Sequence, residues 1–220
     1  MSATCAGKHI RIYVKDTPSA SRDFRFSPYE KFVIAMLGLL QFTVVLDFMV
    51  LSPLGAILMP CLGISTTQFG MVVSAYAFSA GAAGICAAGF ADRFDRKKML
   101  LFFYTGFICG TIFCGIANSY ASLLCARIIT GIFGGVIGSV SFAIITDIFT
   151  MEVRGRVMGV VQMAFAASQV LGIPVGLYLA THFDWHAPFL MIAILGTVVG
   201  AVIALRLRPV TAHLKEQRDT

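Results

Sequence analysis

Six long apolar runs divide this 220-residue chain, and they constrain its fold more than any other feature. They cover Phe32–Pro60, Phe69–Phe90, Met99–Ala117, Tyr120–Phe149, Val157–Ala180 and Ala187–Leu205. About 20 helical residues cross the hydrocarbon core of a bilayer, and each run is near or above that length. Lipid offers no hydrogen-bond partners, so a spanning backbone must satisfy itself as a helix or a closed barrel. The alternation a membrane barrel needs is absent. With 58% hydrophobic and 13% charged residues, the chain has too little polar surface for a soluble domain of this size. The expected fold is an all-α membrane protein: residues 1–31 a polar tail, 32–205 a six-helix bundle, 206–220 a second tail or the start of a linker. The first 31 residues are polar and mixed in charge, and the first apolar run is too long for a signal-peptide core.

The seventeen Lys and Arg residues alternate with the spans. Six precede the first run, four lie in GFADRFDRKK between the second and third, Arg154 and Arg156 follow the fourth, and four follow the sixth. Only Arg127 lies inside a run, and the three alternate loops, PCLGISTTQ, IANSYAS and THFDWHAP, carry none. Short basic loops stay cytoplasmic. Both termini are therefore expected inside a cell (inner) membrane, and the net charge of +6 reflects orientation rather than nucleic-acid binding. The six cysteines form no CxxC pair and are read as small buried apolar side chains.

The charged stretch Asp92–Lys98 has six charged residues in seven positions. Four cations suffice as a topology anchor; Asp92 and Asp95 between them point to a defined hairpin with internal pairs. ADRFDRKK resembles the loop signature G-x-x-x-D-R-x-G-R-[RK] of the major facilitator superfamily. Asp92, Arg93, Arg96 and Lys97 match, Asp95 replaces a glycine, and Gly89 stands one place after the usual first glycine. Arg127, Gly131 and Gly135 are similar to the family's R-x-x-x-G-x-x-x-G motif in helix four. QVLGIPVG resembles the glycine–proline element of the family's antiporters, with Pro174 two residues after Gly172 rather than one. WHAPFL is familiar from drug and sugar efflux members. The resemblance implies half of a twelve-helix fold, built as two three-helix inverted repeats, and most like the drug and sugar efflux proton antiporters.

Two charges lie deep within the spans. Asp47 is 13 residues before Pro60, roughly 20 Å from that end at 1.5 Å per residue; Arg127 is 8 residues after Ser119, roughly 12 Å deep. A charge at the bilayer centre costs roughly 2.5–3.5 kcal/mol on insertion scales, so neither should face lipid. These depths let the two side chains meet. Desolvation disfavours a carboxylate and a nearby cation favours it, a competition that a proton-coupled carrier can exploit. The resemblance assigns Asp47 and Arg127 to proton coupling; the alternatives are a polar residue satisfied by its neighbours and a structural ion pair.

Glycines Gly131, Gly134 and Gly138 share a face with Arg127, suited to close packing or to a cavity. Helix two carries a small-residue stripe, Gly70, Ser74, Ala77, Gly81, Gly84 and Ala88. Gln162 and Gln169 share a face with Gly172 and Gly176, a candidate polar wall with a pliable point at Pro174. Thr43 and the apolar residues around Asp47 (Met36, Leu40, Val50, Leu51, Leu54) suit a lipophilic substrate. Asp147 is a candidate latch to Arg93 or Arg96. His182 and His186 are four apart, but two histidines do not complete a metal site, and no cofactor or metal is expected. The expected function is proton-coupled efflux of a small solute by one half of a secondary transporter. A symporter or facilitator, and a non-transporting six-helix membrane protein, are the alternatives. The expected partners are membrane lipid, H⁺, the solute and a second six-helix half, either a carboxy-terminal half beyond RLRPVTAHLKEQRDT or a homodimer mate.

Overall fold

A computed structural model describes residues 26–87 and 94–207, together with the backbone of 88–90. Those residues form α1 (Pro28–Leu62), α2 (Thr66–Phe90), α3 (Arg96–Cys114), α4 (Tyr120–Ile148), α5 (Met151–Ala167), α6 (Ile173–His182) and α7 (Ala187–Arg206). A π-helical turn, Ser168–Gly172, joins α5 to α6 in one span, so six helical segments are long and apolar enough to cross a membrane.

Local chemistry sets where the helices begin. Ser27 and Glu30 cap α1 reciprocally, Ser65 and Gln68 do the same for α2, and Ser119 and Ser122 for α4. The Asp95 side chain caps α3 by accepting from the Lys97 N–H. Gly63, at φ 61°, closes α1 in the left-handed conformation that disfavours other residues. In α1, α2 and α3 these polar residues precede the apolar runs, so hydropathy alone places those starts late, whereas α4 and α7 begin at Tyr120 and Ala187 as their apolar runs do. The difference is largest in the fifth span, which begins at Met151 rather than Val157 and takes Glu152, Arg154 and Arg156 into its first turns. Arg154 there reaches back to the carbonyl oxygens of Thr146 and Phe149, at 2.5 and 2.8 Å, and ties α5 to the end of α4.

Pro174 explains the π turn. It has no N–H for the Val170 carbonyl, and its ring crowds that position, so the helix widens just before it. Across from this turn lies α1. A Cβ at Gly172 would stand 1.9 Å from Leu46 Cδ1, and one at Gly176 2.3 Å from Val50 Cγ2. The two glycines are the seats for α1 side chains on either side of Asp47.

Helix α2 packs closely on α4, as the α5–α6 span does on α1; α3 contacts α4, α7 contacts α1, and α3 meets α7. Exchanging the first three spans for the last three maps this pairing onto itself, the pattern of two structural repeats. Two buried apolar clusters fill the bundle. One, around Leu40, Tyr104, Phe107 and Val140, extends to the end bearing Arg96; the other, around Leu51, Leu54, Leu123 and Phe189, extends to the end bearing Trp185.

Two expectations need correction. Cys61, Cys86, Cys109 and Cys125 are exposed and only Cys114 is buried; Cys5 lies outside the described residues. A small apolar thiol needs no protein shelter where the surroundings are hydrocarbon. The stripe Gly70, Ser74, Ala77 and Gly81 on α2 is likewise exposed. Gly84 of that stripe does face α4, together with Tyr76, Ser79 and Ala80, and the Ala88 side chain lies outside those described.

Candidate functional site

The seam between the two apolar clusters holds Asp47 of α1 and Arg127 of α4, each 0% exposed. Arg127 Nη1 donates to Asp47 Oδ2 at 2.8 Å, and Nη1 and Nη2 both donate to the Asp47 carbonyl oxygen at 3.2 Å. The other carboxylate oxygen, Oδ1, accepts from the Thr111 hydroxyl of α3 at 3.3 Å. The Tyr76 ring of α2 lies 4.8 Å from the guanidinium carbon, and the Phe189 ring of α7 lies 6.0 Å away. Aromatic faces attract a cation, most of all where water is absent. Five helices thus converge on one ion pair. The Arg127 Nε–H has no hydrogen-bond partner among the described residues, so the aromatic faces supply part of what hydrogen bonds leave undone.

The packing explains why the pair is closed. Gly131 and Gly135, one and two turns after Arg127, bring α4 against the α2 backbone. A Cβ at Gly131 would lie 2.6 Å from the Tyr76 carbonyl oxygen, and one at Gly135 2.1 Å from that of Ala80. Gly134 leaves room for the Tyr76 hydroxyl, which would be 2.7 Å from an added Cβ. These three glycines are filled by neighbouring protein, while Gly138 has nothing within 4 Å.

The remaining expected site residues fall in separate places. Thr43 is buried one turn before Asp47 and bonds to the Tyr104 hydroxyl at 2.9 Å and to the Leu40 carbonyl oxygen rather than to the ion pair. Leu40, Val50, Leu51 and Leu54 are buried as well. The face of α1 around Asp47 therefore packs into its own bundle instead of lining open space, because the carboxylate turns that face toward Arg127. Gln162 is exposed and Gln169 half-buried on the α5–α6 span, and neither joins the ion pair. Pro174 is exposed and lines an apolar groove of about 1120 Å³ between α6 and α7, with Tyr178, Leu190, Met191 and Ile194.

At the end bearing Arg96, the Arg96 Nε donates to Asp147 Oδ2 at 3.2 Å and joins α3 to α4. Lys97 Nζ donates to the Ala204 carbonyl oxygen at 2.9 Å, near the end of α7. Asp95 is the α3 cap. Gly89, Asp92 and Arg93 lie outside the residues whose side chains are described. Thr111, Tyr76 and Phe189 were missed as site residues. Nothing local marks them, since each gains its role from the helix it faces.

Residues 37–220 match the family model described as the Major Facilitator Superfamily. An uncharacterized MFS-type transporter of Bacillus subtilis (strain 168), YceJ, is 33% identical over 164 residues, covering 74% of this chain and 42% of that one. Multidrug resistance protein 3 of the same organism is 30% identical over 155 residues, covering 70% of this chain and 30% of that one. Among solved structures, a bacterial homolog of the human lysosomal transporter Spinster, inward-facing and unoccupied, superposes with a TM-score of 0.73 at 21% identity. That superposition covers 84% of this chain and 44% of the other. The chain spans less than half the length of the curated relatives it matches.

Proposed function

The chain belongs to the major facilitator superfamily, and from that premise we propose that it forms one six-helix half of a transporter exporting a small solute in exchange for protons. The observation that carries this reading is the Asp47–Arg127 pair, a fully buried carboxylate held by a cation between the first helices of the two three-helix repeats. Protonating the carboxylate removes one charge of the pair, so its stability depends on the placement of α1 against α4. Movement of either helix then changes proton affinity, which is the linkage an exchanger needs. The efflux direction is supported by likeness to a protein named for multidrug resistance. Orientation follows from the Lys and Arg distribution: both termini in the cytoplasm of a cell whose plasma membrane the spans cross. A second six-helix unit completes the pathway, as a carboxy-terminal half or a second copy.

The complete enclosure of both side chains favours a second reading, in which the pair pins α1 to α4 and the proton binds elsewhere. Proteoliposomes containing the complete transporter distinguish the two. Under the coupling reading, Asp47→Asn and Asp47→Glu both insert; the Asn variant loses accumulation driven by a pH gradient while retaining solute exchange. Gradient-driven accumulation by a folded Asp47→Asn protein would assign the pair to structure.

A further inference from the structure

At the end opposite Arg96, His186 holds two segments together. It lies just before α7, and its Nε2 is 2.9 Å from the carbonyl oxygen of Ala117, 69 positions away between α3 and α4. Its Nδ1 is 2.7 Å from Asp184 Oδ2. A peptide carbonyl and a carboxylate oxygen only accept hydrogen bonds, so both ring nitrogens must donate. Neutral imidazole carries one N–H and imidazolium carries two. The Trp185 ring lies against the imidazole at 3.6 Å between centroids, a further contact that favours a cation. The other oxygen of Asp184 joins the same arrangement, since Oδ1 accepts the Trp185 backbone N–H at 2.6 Å.

We propose that His186 acts as a protonation-operated clasp between the segment after α3 (115–119) and the segment before α7 (183–186), with both ring nitrogens donating in the closed state. Closed, it donates in two directions. When one ring proton leaves, one bond loses its donor and the ring must release either Ala117 or Asp184. The groups facing the ring are few. Its own segment supplies Asp184, the α3–α4 segment supplies the Ala117 carbonyl, and Asn118 there donates instead to the Ile116 carbonyl oxygen at 3.1 Å. His182 at the end of α6 is turned away, with its Nδ1 2.9 Å from the Tyr178 carbonyl oxygen and its ring stacked on Tyr178.

The clasp stands at the head of a packed column. Trp185 is 4% exposed and meets Phe189 edge-on at 6.5 Å, and Phe189 is the ring beside Arg127. Packing thus links the clasp to the seam that covers the buried ion pair. In the orientation proposed above, the clasp reads the pH of the external medium. The test uses the detergent-purified chain, where both ends meet the same pH, so its outcome is independent of that orientation and of proton coupling.

The experiment combines ring-nitrogen NMR of ¹⁵N-histidine-labelled protein with hydrogen exchange of residues 115–119 and 183–190, expressed as protection factors. Measurements are made at about pH 6 and about pH 8.5, on either side of the usual histidine range. The His186 signals are assigned by their disappearance in His186→Arg. Expected are two protonated ring nitrogens at the lower pH and an about tenfold loss of protection once one proton is gone, the scale of one charge-assisted hydrogen bond. His186→Arg, a permanent cation with several donors, keeps protection at both pH values; His186→Gln lacks it at both. A neutral single-tautomer ring at the lower pH overturns the proposal. So does unchanged protection on deprotonation, or a His186→Arg protein that loosens with pH as the wild type does. The last two outcomes remain decisive even if His186→Gln does not fold.

Discussion

Asp47 and Arg127 lie 80 positions apart in the chain, yet their side chains meet at 2.8 Å with neither reaching solvent or lipid. Each is the single mid-span charge of its three-helix repeat, so joining them locks the repeats together where a lone charge would be most costly.

Removing one partner leaves the other charge buried and uncompensated. Arg127→Leu or Asp47→Leu should each cost about 3–5 kcal/mol, and the double variant should cost clearly less than the sum, because an apolar pair needs no compensation. Thermal unfolding in detergent checks this. Additive single and double effects would mean that the two side chains act independently.

Helix α4 offers an internal control for close packing. Gly135→Ala should destabilise by about 1–3 kcal/mol, because its Cβ would meet the Ala80 backbone carbonyl, which cannot step aside as a side chain can. Gly138→Ala should change stability little, having open space around it. Equal effects of the two substitutions would show that α2 and α4 are farther apart than described.

The Arg96–Asp147 bond crosses from α3 to α4, with side chains 5% and 14% exposed. Asp147→Asn should weaken this junction by about 1.5–3 kcal/mol, the scale of a hydrogen bond to a charged group, and Asp147→Lys should weaken it more. Faster exchange of the first α3 amides, with α7 unchanged near its middle, is the expected signature. An unaltered exchange profile in Asp147→Lys would remove the latch.

Orientation is checked in a cysteine-free background with single cysteines at Thr66, Asn118 or Phe94. The first two should react with an impermeant thiol reagent applied to intact cells and the third should not, as the Lys and Arg distribution requires. The reverse pattern would invert the assignment and place the His186 clasp inside.

The six spans were legible in sequence because lipid permits only self-satisfied helices over such apolar lengths, and this holds without knowledge of neighbours. The starts of α1 and α2 were legible in principle too, in SPYE and STTQ, but a reading by hydropathy passes over polar caps; the start of α4 at Tyr120 coincides with that of its apolar run. The two buried charges were equally plain, since burial is the only inexpensive fate for Asp47 and Arg127 in a membrane. Their environment was not. Nothing in the residues around Thr111, Tyr76 or Phe189 distinguishes them from other membrane side chains, and their contact with the pair follows from how α2, α3 and α7 rotate about α4. The glycines make the same point: Gly131, Gly135 and Gly138 look alike along the chain, yet only the first two are pressed against a backbone. Helix rotation is fixed by steric fit among helices that are apolar on every side, so hydropathy has no gradient from which to read it. Span number and the need to pair the charges belong to the sequence; which faces meet was decided by packing.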